Sequence, residues 1–581
     1  MISLCTEEGR NIDTRIPSIE HPNPQFRRDV YASLNGEWDF CIADHDDISS
    51  LLFNEKIVVP FAVETALSEV QRSDLKGKYL CYKKQFDLPK PLHKDNVTLH
   101  FDAVDCICDV YLNGVKLGHH EGGYESFSFE GLTLHEKGNL LIAVVQDNTD
   151  GVFPSGKQSL NPSGIWYQAT SGIWGNVWVE NVPEKHLESI RYDFIEKGYI
   201  CRVFAKSNAD LEGFSIEVFF KGELVKSARF NKNGVAEISL GDEVHLWDVD
   251  SPNLYDVKIS NGYDTVFSYF GFRIVSKVEV NGFLYPAING KPVFLTGPLD
   301  QGYFPESGLT PPTDQSMVKD ILLMKSYGFN MVRKHIKIEP DRWYYHCDRL
   351  GILVMQDFVN IGAPYSTYLV MTGPFIKRTW NDQLESIQAK LHSSSKQAQA
   401  HFLSSMESTT KRLMNHPSII AWTIFNEGWG QFDTKNTLDK LTQIDSSRLV
   451  DANSGWIDQG VGDFCSRHIY FRKAKLKNDH KRILSLSEFG GYSLSIEGHT
   501  YSKKTFGYKR FKSQEDLEAA ITRLYENEII PLKKEGLAVA VYTQLSDVET
   551  ENNGLITYDR EVLKVRTEVF SRINQKLKEI N

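Results

Sequence analysis

The sequence lacks any run of about eighteen apolar residues, which excludes an ordinary membrane-spanning helix. Its start, Met1 to Arg10, has no basic segment followed by an apolar one, so no secretory signal is expected. It also lacks a basic block or an acidic tail: the net charge of −11 reads as spread along the chain, which argues against nucleic acid and anionic membranes as partners. Cysteine is sparse, eight residues in 581, and only Cys106-Ile-Cys108 is closely spaced. In the alternating stretch Ala103 to Leu112 both of those thiols should point to one face of a strand. With no second pair at zinc-ligand spacing, no metal is expected, and buried, reduced thiols point to a cytoplasmic setting. No Gly-x-Gly-x-x-Gly stands between a strand and a helix, so no dinucleotide cofactor is expected and none of another kind is implied.

What is present is an ordinary globular balance, 41% apolar and 24% charged, in a chain too long for one core. Aromatic residues make up 12%, which suits stacking on sugars and a large β-rich core equally well. From about residue 30 to 182 short alternating runs are separated by Gly, Asn and Pro turns, with Asn113-Gly114 as a hairpin signal, so residues 1–183 read as a jelly-roll β-sandwich. Residues 184–276 continue in a smaller unit with several strands, an immunoglobulin-like sandwich without the cysteine pair of antibody domains.

After about residue 277 strands alternate with amphipathic helices. Thr313 can cap a helix carrying Met317, Ile321, Leu322 and Met324, with Gly328 beyond its end. Eight strands are expected at Pro292–Thr296, Asn330–Val332, Ile352–Met355, Ile419–Phe425, Leu449–Ala452, Asp463–Cys465, Ile483–Leu486 and Ala538–Thr543. A last helix should place Val562, Val565, Val569, Ile573 and Leu577 on one side. Eight strand–helix units over 277–581 make a (β/α)8 TIM barrel, with Ile361 to about Ser405 inserted over the active face.

Two of these strands end on single glutamates. The run Ala421-Trp-Thr-Ile-Phe-Asn-Glu427 closes strand four, and Ile483-Leu-Ser-Leu-Ser-Glu488 closes strand seven. One such glutamate is an ordinary solvated carboxylate. Two at the carboxyl ends of barrel strands can face each other across a sugar, as glycoside hydrolysis requires.

The residues then resemble glycoside hydrolase family 2, which includes β-galactosidases, β-glucuronidases and β-mannosidases, over almost the whole chain. Leu34-Asn-Gly-Glu-Trp-Asp-Phe40, Val110-Tyr-Leu-Asn-Gly114 and Ala169-Thr-Ser-Gly-Ile-Trp174 look like its sugar-binding-type sandwich. Ser251-Pro-Asn-Leu-Tyr255 and Phe270-Gly-Phe-Arg273 look like its immunoglobulin-like domain, and Asn289-Gly-Lys-Pro-Val-Phe-Leu295 like its first barrel strand. Where many members carry an Arg- or Lys-His-Glu-type stretch after strand one, this chain has Gly297-Pro-Leu-Asp-Gln-Gly-Tyr303, which leaves the sugar open.

The resemblance implies Glu427 as acid/base and Glu488 as nucleophile, with Asn426 on the sugar 2-hydroxyl. Arg333, which with His335 closes strand two, would keep the nucleophile ionised. His468 and Tyr470 follow strand six, where members hold sugar and nucleophile. Asp300 and Gln301 after strand one are either sugar contacts or loop structure. The loop Gln146 to Gln158 should project from the first sandwich, and its tip, with Lys157 and Gln158, resembles what some members bring to the barrel rim. The resulting expectation is a retaining exo-acting β-glycosidase acting on an oligosaccharide or glycoconjugate, a β-galactoside or a related glycoside. The alternatives are a non-catalytic carbohydrate-binding protein and an inverting hydrolase or transglycosylase. Homo-oligomerisation stays open.

Overall fold

A computed structural model describes residues 4–147, 149, 151–361, 365 and 380–580. Near the N-terminus a six-stranded antiparallel sheet packs on a four-stranded one. Trp38, Phe40, Leu80, Phe101, Val110 and Val179 fill the space between. Asn113 and Gly114 both take positive φ, 51° and 82°, and join strands 107–112 and 115–121, as a tight hairpin requires. The strand expected through Ala103–Leu112 is broken at Cys106, because residues 104–105 pair with 172–173 while 107–112 pair with 141–146. Both thiols are buried, but they do not share one strand face.

A second sandwich packs a three-stranded sheet (187–195, 200–207, 235–239) on a four-stranded one (215–220, 223–229, 255–260, 265–270). Arg28, buried between the two sandwiches, donates to Asp264, Glu180 and the carbonyl of Leu187. Arg273 leaves the second sandwich and donates to the carbonyls of Pro417 and Ile419 at 2.9 and 2.8 Å, docking that sandwich on the fourth barrel strand.

The remaining chain forms an eight-stranded parallel sheet curled into a barrel. Its strands are β1 (Leu295–Asp300), β2 (Met331–Lys334), β3 (Leu353–Asp357), β4 (Ile419–Asn426), β5 (Leu449–Ser454), β6 (Phe464–Ile469), β7 (Ile483–Gly490) and β8 (Leu537–Thr543). Every residue of β4 and β7 is buried, because helices cover one face of a parallel sheet and the barrel core the other. Among the described residues, β5 and β6 are the only barrel neighbours without a ladder.

Three expectations change. β1 begins at Leu295, since Lys291–Pro292 folds back to pair antiparallel with Ala287–Ile288. Helices follow β1 (α1, Asp314–Ser326), β2 (α2, Asp341–Leu350), β3 (α3, Lys396–Leu413), β4 (α4, Thr434–Ile444), β7 (α5, Gln514–Leu524) and β8 (α6, Thr567–Lys578). Among the described residues none follows β5 or β6, and six of the eight strands are followed by such a helix: residues 455–463 are too short a link, with Gly455, Gly460 and Gly462 all at positive φ. The expected insertion after β3 ends inside α3, the barrel's own helix, and its residues 362–364 and 366–379 lie outside the described residues.

Thr313 caps α1 by accepting from the Ser316 N–H, and Met317, Ile321 and Met324 are buried, but Leu322 is exposed. α6 starts after Val562 and Val565, and buries Phe570, Ile573, Asn574 and Leu577.

Replacing Arg273 by Ala strands two buried carbonyls at the sandwich–barrel seam. Urea unfolding should show a loss of about 3 kcal/mol; an unchanged midpoint would mean that the seam contributes nothing.

Candidate active site

Arg333 on β2 is fully buried and distributes its guanidinium over four neighbouring strands. Nε and Nη2 donate to the two Asp357 oxygens on β3, each at 3.0 Å. Nη2 also donates to Asn426 Oδ1 on β4 at 2.8 Å. On β7, Nη1 reaches Glu488 Oε1 at 3.1 Å and the Ser487 carbonyl at 3.0 Å. It also lies 3.4 Å from His468 Nε2 on β6.

Glu427 follows the last residue of β4 and sits in the left-handed region at φ 54°. A side chain other than glycine there carries a backbone cost of about 1 kcal/mol or more, of the kind found at functional sites. The turn is held by the Glu427 N–H donating to the Ser454 carbonyl at 2.9 Å. His468 Nδ1 lies 2.7 Å from Glu427 Oε1. Because the Arg333 N–H points at Nε2, the network assigns the ring proton to Nδ1, which donates to Oε1. A proton on the Glu427 carboxyl is therefore left to Oε2.

The second carboxyl, Glu488, accepts from Arg333 and from the Tyr470 hydroxyl, the latter at 2.5 Å. His335 Nε2 is 3.4 Å from Glu488 Oε1, and its Nδ1 is 3.0 Å from Gln301 Oε1. One oxygen of Glu427, one of Glu488 and one nitrogen of His468 lie within 4.8 Å of each other. Such a set could ligate a cation, although Arg333 already supplies positive charge there.

The electrostatics separate the two carboxyls. Burial, then the charge of Glu488, holds Glu427 well above the usual carboxylate range. Burial also raises Glu488, but Arg333 and Tyr470 oppose it. His468 is pushed well below its ordinary value by burial and by Arg333, so it is neutral near pH 7. Burial and the neighbouring Lys157 do the same to His335.

Three family models match this chain. "Glycosyl hydrolases family 2, TIM barrel domain" covers residues 278–488, "Glycosyl hydrolase 2 galactose-binding domain-like" covers 46–149, and "Glycosyl hydrolases family 2" covers 212–273. The chain belongs to glycoside hydrolase family 2. It is 26% identical over 443 residues to a putative β-glucuronidase of Formosa agariphila, covering 72% of this chain and 49% of that protein. It is 25% identical over 477 residues to a β-galactosidase of Priestia megaterium, covering 76% and 42%. The chain thus spans less than half the length of these two relatives. In fold it is similar to a Ruminococcus gnavus β-glucuronidase, with a TM-score of 0.75, 17% identity and coverage of 96% and 99% of the two chains. No described helix is long and apolar enough to cross a membrane.

Within this family 2 chain, the first sandwich reaches the barrel rim. Pro154 bridges Ile361, and the Gly156 N–H points to the Asn360 carbonyl at 3.4 Å. Gly156 has φ 64°, and a Cβ there would stand 2.8 Å from the Ile336 carbonyl, so only glycine fits. The next residue, Lys157, is buried, with Nζ 5.3 Å from the Tyr167 ring centre and no carboxylate partner among the described residues. Its charge acts on both Glu427 and Glu488.

Three other expected contacts are not brought to the carboxyl pair. Gln158 turns inward: its Nε2 donates to Asp105 at 3.0 Å and its Oε1 accepts from the Thr170 N–H, which uses up the amide inside the sandwich. Asp300 pairs with Lys334 at 2.5 Å, and Lys334 also holds Glu339, so the Asp300 carboxylate belongs to a buried ion cluster. Gln301 backs His335 and donates to Gln544 at 2.9 Å.

The sequence reading missed several neighbours. Tyr508 stacks on Tyr470 with centroids 3.7 Å apart. Trp166, Tyr365 and Trp429 pack into an aromatic wall. Only Trp429, two residues past Glu427, carried a usable signal. Asn426 Nδ2, Trp429 Nε1, Trp456 Nε1 and Asn360 Oδ1 are buried without a protein partner, an unusual concentration.

Lys157→Ala should lower kcat/KM at least several-fold on any glycoside the protein cleaves, with a Tm close to wild type because no ion pair is lost. Unaltered kinetics would place the ammonium outside the binding site.

Proposed function

We propose that the protein is a retaining, exo-acting β-glycosidase in which Glu488 attacks the anomeric carbon and Glu427 protonates the departing oxygen, then activates water. The observation that carries this reading is a pair of buried carboxyls, one charge-compensated and one not, that brings one oxygen of each within 4.8 Å of the other. Retaining enzymes hold their carboxyls about 5–5.5 Å apart, whereas inverting ones need about 6.5–9.5 Å for an intervening water. Arg333 and Tyr470 oppose the rise that burial causes in Glu488, which makes it the readier of the two to ionise. Burial keeps Glu427 protonated through Oε2, the oxygen that His468 leaves free. The Asn426 amide, held by Arg333 through Oδ1, offers Nδ2 to the sugar 2-hydroxyl. Lys157, Trp429 and Trp456 supply further donors for ring hydroxyls, and the sandwich loop with the aromatic wall closes one end of the site, which favours removal of a terminal sugar. A binding protein without catalysis would have no use for two buried carboxyls held so differently. The sugar is a β-galactoside or a related glycoside, and relatives named for galactosides and for glucuronides define the substrate panel.

Glu488→Ala should abolish turnover of chromogenic β-galactosides, β-glucuronides and β-mannosides alike, and added azide should restore part of it as a glycosyl azide of inverted configuration. Retention of near-normal activity by this variant would remove Glu488 from the nucleophile's role.

Glu427→Gln should slow substrates with poor leaving groups far more than activated aryl glycosides, since a stable leaving anion needs no proton. Equal losses on both would reduce Glu427 to a binding residue.

The pH profile follows from the same pair. Activity requires Glu488 ionised and Glu427 protonated, so kcat/KM should fall as pH drops through the Glu488 value and fall again as pH rises through the elevated Glu427 value. With an activated aryl glycoside the alkaline limb should vanish in Glu427→Gln; its persistence would assign that limb to another group.

A further inference from the structure

The charge of this chain is not spread evenly once it is folded. Residues 471–477 read Phe-Arg-Lys-Ala-Lys-Leu-Lys, and residues 503–512 carry Lys503, Lys504, Lys509, Arg510 and Lys512 with no acid, in a chain of net charge −11. The first segment leaves β6 and the second lies in the excursion after β7, two strands that pair with each other. The two loops meet at the stacked rings of Tyr470 and Tyr508, and Phe471 packs on Tyr508 at 5.2 Å. This corrects the expectation of a chain without a basic block: two basic loops separated by residues 478–502 converge on one rim.

Between them runs a groove of about 290 Å3, bounded by Tyr470, Tyr508, Tyr492, Arg472, Lys473 and Lys509. Tyr470 forms its inner wall and also donates to Glu488, so the groove begins one aromatic ring away from the candidate nucleophile. Lys473 and Lys509 are exposed, and neither has a carboxylate partner among the described residues. Lys509 instead lies over the rings of Tyr492 and Phe511, 5.4 Å from each centre. The acid that borders the groove, Glu528, already accepts the Ala474 N–H at 2.9 Å. Phe471 is 60% exposed beside these cations, whereas the other apolar residues of its loop, Ala474 and Leu476, are buried.

Exposed cations placed beside one exposed aromatic ring, Phe471, and partly buried tyrosines suit a ligand with ring faces and oxyanions together. Stacking on the aromatics takes up the sugar ring, and ammonium groups on either side meet its carboxylates or sulfates. We infer that this groove is a subsite for an anionic glycan, so that the substrate continues beyond the cleaved residue as units bearing carboxylate or sulfate groups. The inference rests on the glycosidase reading for its link to turnover, but the groove's binding of oxyanions does not depend on it. Unlike Lys157, whose charge acts on both carboxyls, Lys473 and Lys509 are paired with neither, so they act on the rest of the substrate rather than on the reacting sugar.

The test uses the full chain and a variant, Lys473→Glu with Lys509→Glu. Fluorescence anisotropy is read with labelled hexagalacturonate as the carboxylate arm, a sulfated galactan oligosaccharide as the sulfate arm, and neutral galactan oligosaccharide and single-stranded DNA of equal length as comparisons. The wild type should bind at least one anionic arm about tenfold more tightly than the neutral one, and the difference should shrink when NaCl is raised from about 50 to about 500 mM. The arm that responds identifies the oxyanion. The double variant should lose that difference while hydrolysing a neutral nitrophenyl glycoside of the preferred sugar within about twofold of wild type, because exposed charges outside the pair contribute little to the chemical step. Equal binding of anionic and neutral oligosaccharides by the wild type would overturn the inference, as would DNA binding as tight as that of the anionic glycans, or an anionic preference that survives in the variant. A protein that cleaves none of the chromogenic glycosides yet binds the anionic arm through these lysines would sink the glycosidase reading and leave the groove standing.

Discussion

A buried guanidinium cannot stand uncompensated, and around Arg333 that demand organises the carboxyl end of the barrel. Removing such a cation from water carries a penalty that only close anions and a full set of acceptors offset. Asp357 takes two of its N–H groups side by side, the geometry that the planar fork of arginine matches and the point charge of lysine does not. The remaining donors reach Asn426, Ser487 and Glu488, so a single side chain sets the relation of β3, β4 and β7 to β2. Misplacing any one of these strand ends would leave a buried donor or acceptor unpaired.

The same cation is what makes two chemically identical side chains different. Both glutamates are buried, and burial alone would hold both protonated. Glu488 has Arg333 and Tyr470 to stabilise its charge, whereas Glu427 faces that charge and a neutral imidazole. The imidazole is neutral for the same reason: buried beside Arg333, a second positive charge is disfavoured. Its orientation follows from the arginine N–H at Nε2, which leaves Nδ1–H for Glu427. Site chemistry and barrel assembly therefore draw on one interaction, and neither is available without the other.

Charge at the mouth of the barrel is arranged in two layers. Beneath, Asp300, Lys334, Glu339 and Lys337 pair with each other in the dark of the core and tie the end of β1 to the loop after β2. Above, the exposed lysines Lys473 and Lys509 after β6 and β7 have no carboxylate partners among the described residues. The buried layer is satisfied internally and serves the fold. The outer layer is left for something else to neutralise.

The barrel strands were legible because a parallel strand covered on both faces must be apolar along its whole length, and such runs stand out between polar loops. The placement of Glu427 and Glu488 at the ends of the fourth and seventh runs needed only that count. The Thr313 cap and the Asn113-Gly114 turn were legible too, since their hydrogen bonds and dihedrals are settled within a few residues. Tertiary structure alone decided which of the polar side chains after each strand turns inward: Asp300 is claimed by Lys334, Gln158 by Asp105 and Thr170, and Arg333 by partners up to β7. It also decided that no helix follows β5 or β6, that Tyr508 lies on Tyr470, and that two basic loops meet. A polar side chain goes where its partner is, and these partners come from strands and loops whose proximity exists only once the barrel has closed, so no local pattern in the chain records them.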